Sequence, residues 1–137
     1  MNTTRLVTGT VVGGIVVFVA GYLIFDLAFS AFYAANVGSA TGVDRDAQLL
    51  WAVIVGSLAY AALITLGIGS RSGSSSVAEG VKVGAVVGFL LWCTVDFTLY
   101  GITNVSNLTR TVVDPLLELV RGGIVGGVIA AVAGKTR

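Results

Sequence analysis

From residue 6 to residue 25 the chain carries no charged side chain, and residues 47–69 form a second run that is uncharged throughout. Residues 77–101 and 115–134 are nearly as apolar. An α-helix rises about 1.5 Å per residue, so about 20 such residues cross the roughly 30 Å hydrocarbon layer of a membrane. The prediction is therefore an all-α, polytopic membrane protein, a four-transmembrane-helix bundle with spans at about 6–33, 47–69, 77–101 and 115–134. Composition agrees: 55% of residues are hydrophobic, 11% are charged and mean hydropathy is +0.96, against about 25% charged residues in an ordinary soluble domain. Four spans and their connections use up the 137 residues, so residues 1–137 are read as one transmembrane domain. The first run continues past Asp26 through Phe29, Phe32 and Tyr33. That is longer than the core of a cleaved signal peptide, and the segment is expected to stay in the mature protein.

Several function classes lose their chemistry at this stage. The net charge is +1 and the basic residues are scattered, whereas nucleic acid is held by clustered Lys and Arg. The single cysteine, Cys93, excludes an internal disulfide, and the absence of histidine removes the commonest general base and metal ligand. No metal-ligand spacing or serine elbow is present, and Gly13-Gly14 and Gly122-Gly123 lie in apolar spans unlike any phosphate loop. No enzyme activity, cofactor or metal is expected. The expected surroundings are the lipid bilayer and a membrane-protein partner or second copy.

The connections set boundaries and orientation. Residues 36–46 form a polar turn, with Asp44 or Asp46 as the expected cap of the second span. Residues 70–76 are a Ser- and Gly-rich connection, after which Ser76 and Glu79 have capping-box spacing. A second polar turn at 102–113 leads to Asp114-Pro115, read as the cap and first residue of the fourth span. Under this topology Arg5, Arg71, Lys82, Lys135 and Arg137 fall on one side and Arg45 and Arg110 on the other, which predicts cytoplasmic termini. Asn104-Val-Ser106 and Asn107-Leu-Thr109 match the short glycosylation pattern, a match that chance produces easily.

The two halves resemble one another. A shift of about 70 residues sets Gly14 on Gly84 and Asp26 on Asp96; a shift of about 68 sets Asn36 on Asn104, Thr41 on Thr109 and Asp46 on Asp114. Duplicated tandem hairpins and chance likeness are both open. Glycines recur every fourth residue at Gly80, Gly84 and Gly88, at Gly122 and Gly126, and at Gly123 and Gly127. Such faces let helix backbones approach where the hydrophobic effect gives no drive, so helix packing is favoured over a pore lining.

The polar chemistry concentrates in residues 94–121. Asp96, Glu118 and Arg121 lie within apolar spans, Asp114 at the edge of one, and Asp26 reaches a comparable depth. An ionisable group there is costly and usually partnered. Matching depths predict that Asp96 and Arg121 form the core of a buried cluster, with Glu118, Asp26 and Asp114 around it. Two readings follow: an ion-pair latch between helices, which is favoured, or a cation or proton site using the surplus carboxylates.

The stretch Asn36-Val-Gly-Ser-Ala-Thr-Gly-Val43, the segment from Asp96-Phe-Thr-Leu-Tyr-Gly101 through Asn104, Asn107 and Thr109, and Val113-Asp-Pro115 resemble the signatures of a family of small bacterial four-span membrane proteins of unknown function. The resemblance covers nearly the whole chain. It implies a bacterial inner-membrane setting and supplies no activity, substrate or cofactor. Two functional classes stay in view: a structural or interaction protein assembling through its glycine faces, and a small transporter or channel for a cation or protons.

Overall fold

The computed structural model describes residues 1–70 and 76–133. Helix α1 (Thr3–Gly21) passes into a π-helical stretch (Tyr22–Ala28), and a short α2 (Ser30–Ala35) follows; α3 is Leu50–Gly69, α4 Val77–Ile102 and α5 Leu108–Ala133. Four helical segments, 3–28, 50–69, 77–102 and 108–133, are long and apolar enough to cross a membrane. The chain is a four-helix bundle of that kind. One end of it, the terminal end, carries Met1 and the approach to the 70–76 connection. The other, the turn end, carries residues 36–49 and 103–107.

Local sequence explains most of the boundaries. Asn2 accepts the Arg5 N–H at 2.9 Å and so starts α1. Ser76 accepts the Glu79 N–H at 3.2 Å and starts α4 as its spacing predicts. Three expectations need correction. Neither Asp44 nor Asp46 caps α3, which begins three residues later than expected, at Leu50, from an uncapped Leu49. Asp114-Pro115 does not open α5 either. Asn107 does so, taking the Arg110 N–H at 2.9 Å, and Pro115 lies inside the helix. Proline has no N–H to give the carbonyl four residues back, so the ladder is interrupted at Thr111. The first span is also broken where one continuous helix was expected. After Gly21 it widens into the π-helical stretch, and Phe29 departs from helical geometry (φ −112°, ψ 13°).

Helices α4 and α5 run antiparallel with their backbones almost touching. A Cβ on Gly84 would strike the Gly122 carbonyl oxygen, one on Gly126 the Gly80 carbonyl, and one on Gly88 the Glu118 carbonyl. Glycine alone permits this approach. Gly123 and Gly127 turn toward Val81 of α4 as well. Helix α1 packs on α3 and α5 through Gly9 and Gly13, which meet Thr65, Ala61 and Ile129. The apolar core, Val17, Ala61, Ile64, Ile68, Val83, Val125 and Ile129, fills the terminal half.

At the turn end the two polar turns pair with each other. Val37 and Ser106 form an antiparallel bridge, Gly38 N–H donates to the Val105 carbonyl at 3.2 Å and Ala40 N–H to the Asn104 carbonyl at 3.0 Å. The Asn107 amide donates to the Asn36 side-chain oxygen at 3.0 Å. The positions matched in sequence nevertheless differ in setting: Asp26 is exposed while Asp96 is half-buried, and Asp46 is exposed while Asp114 is buried within α5. Of the residues behind the orientation argument, Arg71, Lys135 and Arg137 lie outside the described residues, as do most of the 70–76 connection and the end of the fourth span at Gly134.

Candidate functional site

Because α5 starts at Leu108, residues Arg110, Asp114 and Glu118 fall at successive i,i+4 positions, and Arg121 follows one turn later. One face of one helix therefore carries a ladder of charge through the turn half of the bundle. The other helices supply what surrounds it.

At the inner end, Arg121 forms a two-point ion pair with Glu118: Nε donates to Oε2 at 2.9 Å and Nη2 to Oε1 at 2.6 Å. Both residues are buried, Glu118 to 1% exposure. The guanidinium carbon lies 5.1 Å from the Phe25 ring centre, 5.4 Å from that of Tyr60 and 6.0 Å from that of Trp92. These aromatics come from the π-helical stretch, α3 and α4, so every spanning segment of the chain meets at this cation. Ring faces attract cations electrostatically, most strongly where water is excluded. The Tyr60 hydroxyl donates to Glu118 Oε2 at 3.4 Å. Gly21 leaves room for the guanidinium, since a Cβ there would sit 2.6 Å from Nη1.

Toward the turn end lies a second group. The Tyr33 hydroxyl donates to Asp114 Oδ1, and the Arg110 guanidinium carbon lies 4.9 Å from the Tyr33 ring centre. Tyr33 stands beyond the first span. Burial there, with the Asp114 carboxylate beside it, pushes its hydroxyl well above the usual phenol range, so it is a donor at any ordinary pH. The carboxyl of Asp96 faces that of Asp114, and the cation that acts on it is Arg110. Asp96 Oδ2 is buried and, among the described residues, has no hydrogen-bond partner. The same holds for Trp92 Nε1.

Two clefts reach these groups. One, of about 520 Å³, runs from Ala40, Gly42 and Ser106 of the turns to Asp96 and Arg110. The other, of about 360 Å³, is bounded by Asp26, Tyr33, Trp92 and the whole ladder from Arg110 to Arg121.

The predicted cluster thus exists with different partners. Asp96 and Arg121 do not pair. The register that sets Gly88 against Glu118 sets Asp96, two turns further along α4, against Arg110. Depth alone could not show this, because it ignores where along the partner helix a residue lands. Asp26 is exposed at the rim of the second cleft and is not a buried member. Asp114 is buried within the group, as a rung inside α5 and not as the cap of that helix. Of the polar-turn residues, Asn36, Asn104 and Asn107 hold the turns together, while Thr41 and Thr109 are exposed and, among the described residues, make no side-chain hydrogen bond. Sequence reasoning missed Phe25, Tyr33, Tyr60, Trp92 and Arg110. The i,i+4 spacing of Arg110 with Asp114 and Glu118 was a usable signal, lost when proline was taken as the helix start.

The chain matches no known protein family, no curated protein and no solved structure.

Proposed function

We propose that this chain is a small, non-enzymatic membrane protein that takes up and exchanges protons at the Asp96–Asp114 pair, reached from the turn end. The observation that carries the reading is the Asp96 carboxyl: one oxygen is buried without a donor and the group faces a second carboxyl. Two such groups side by side, with Tyr33 donating to one and a single cation acting on the other, are most simply neutralised by a proton held between them. A metal ion fits less well, since among the described residues no three acidic or thiol side chains converge. The setting proposed with it is a bacterial inner membrane with cytoplasmic termini, so that the turn end faces outward and its clefts open to the outside.

The terminal half is closed by Val17, Ile64, Val125 and Ile129. Passage of a proton across the membrane therefore requires a rearrangement. The π-helical stretch and the proline-interrupted ladder of α5 are the natural places for it.

The structural-latch reading keeps one observation of its own: the Glu118–Arg121 pair lies within α5, and the rings of Phe25, Tyr60 and Trp92 around its guanidinium join it to the other three spans. Assembly through glycine faces loses support, because those glycines meet α3, α4 and α5 of the same chain. Purified protein in liposomes with an internal pH dye and an imposed potential separates the two readings. Proton flux that disappears in Asp96→Asn, while the variant still folds, is the expected result. Absence of flux from the unmodified protein leaves the latch as the function.

A further inference from the structure

Helices α1 and α3 are not closed against each other along their full length. Between the middle of α1 and the turn half of α3 they enclose an apolar slot of about 310 Å³, walled by Val11, Ile15 and Phe18 on one side and Ile54, Ser57 and Leu58 on the other. Phe18 and Ser57 also border a larger cleft of about 870 Å³ toward the turn end. The two form one groove, and it changes character along its length. The slot is almost wholly apolar. The cleft ends among Asp26, Asp44, Arg45, Gln48 and Arg121.

The groove's walls follow α1 from Val11 to Asp26, 15 residues and so about 22 Å at the usual helical rise. That is close to the depth of one leaflet and its headgroup layer. Val11, Ile15 and Ile54 are each about half exposed (48%, 61% and 49%), so on a helix that spans a membrane they face acyl chains. The polar end is balanced, with two acids and two arginines. Arg121 meets it in a particular way: Nε and Nη2 are taken by Glu118, while Nη1 has no part in that ion pair and lies beside Gly21, a lining residue of the cleft. A planar donor edge of this kind suits a phosphate. Asp26, one turn beyond Tyr22 at the rim, is exposed and suits an ammonium.

We infer that the α1–α3 groove is a binding site for a single phospholipid with a zwitterionic, primary-amine headgroup. One acyl chain lies in the slot, the phosphate lies at Arg121 and Arg45, and the amine lies at Asp26. Charge complementarity selects this occupant. A purely anionic headgroup would leave Asp26 and Asp44 facing like charge, and a quaternary ammonium would reach Asp26 without N–H donors. The groove shares Val43 and Asp44 with the cleft that reaches Asp96, and Phe25, Asp26 and Arg121 with the cleft along the α5 ladder, but neither Asp96 nor Asp114 lines it, so lipid binding does not require proton exchange at that pair.

The test uses the purified full chain in detergent, titrated with phosphatidylethanolamine, phosphatidylcholine or phosphatidylglycerol. Native mass spectrometry reads bound lipid, and thermal unfolding reads stabilisation. The expected result is one retained phosphatidylethanolamine per chain, held at least several-fold more strongly than either of the others. Ser57→Phe, which fills the slot, should abolish retention. Ile15→Trp, at an exposed position, should do the same should Ser57→Phe fail to fold. Asp26→Asn should bring the ethanolamine and glycerol lipids to equal retention. Equal retention of all three lipids by the unmodified protein overturns the headgroup assignment. Retention untouched by the folded slot variants overturns the site.

Discussion

Arg121 is held in two ways at once, by a carboxylate on its own helix and by aromatic rings from three other segments. Removing it leaves Glu118 buried without its counter-ion, with only the Tyr60 hydroxyl donating to it. Breaking a buried pair from one side costs about 3–5 kcal/mol, and Arg121→Leu should lose that much in detergent unfolding. Adding Glu118→Leu should recover part of it. A double-mutant cycle between Arg121→Leu and Asp96→Asn, by contrast, should show coupling of no more than about 0.5 kcal/mol, since no hydrogen bond or ion pair joins the two and they influence each other only through Glu118. Strong coupling there would contradict the pairing described above. Gly21→Ala is the subtler probe. Its Cβ would arrive 2.6 Å from Nη1, and because the guanidinium is fixed on both faces the expected loss is about 1–3 kcal/mol. At this scale the sequence was legible in kind and not in pairing. That Glu118 and Arg121 need partners follows from their apolar neighbours, but which partner depends on azimuth and register, and no single helix encodes either.

Helices α4 and α5 owe their contact to absent side chains. Since Gly84 meets the Gly122 carbonyl, Gly84→Leu has no rotamer that relieves the clash, and it should cost about 3 kcal/mol or more or prevent folding. Val86→Phe, two residues away on an exposed face, should change unfolding by less than about 0.5 kcal/mol. Equal effects in the two variants would mean the helices do not meet through this face. The four spans and the Gly80–Gly84–Gly88 face could be read directly, because length, hydropathy and a period of four are local properties. The start of α5 could not. Asp-Pro is a strong opening signal, yet Asn107 lies about two helical turns upstream and caps equally well, and tertiary burial of Thr111 and Pro115 decides between them. The π-helical stretch after Gly21 had no signal in composition either.

As a whole the molecule is unequal between its halves, sealed at the terminal end and cleft at the turn end. Cysteines at Ser39 and Ser70, both exposed and placed singly in a Cys93→Ala background, should react with an impermeant maleimide from opposite faces of a sealed vesicle. Reaction of both from one face would exclude a four-span topology. One further consequence lies in how such a protein enters a membrane at all. A charged residue at mid-helix raises the cost of insertion by about 2.5–3.5 kcal/mol, and α5 carries Glu118 and Arg121. Three residues apart, they neutralise each other before any neighbouring helix is present. Residues 103–107 then tether α5 to α4 so closely that the two glycine faces can meet as a hairpin during biogenesis. The counter-ion travels on the same helix, so the polar rung is delivered already paid for, and the aromatic rings need only close around it.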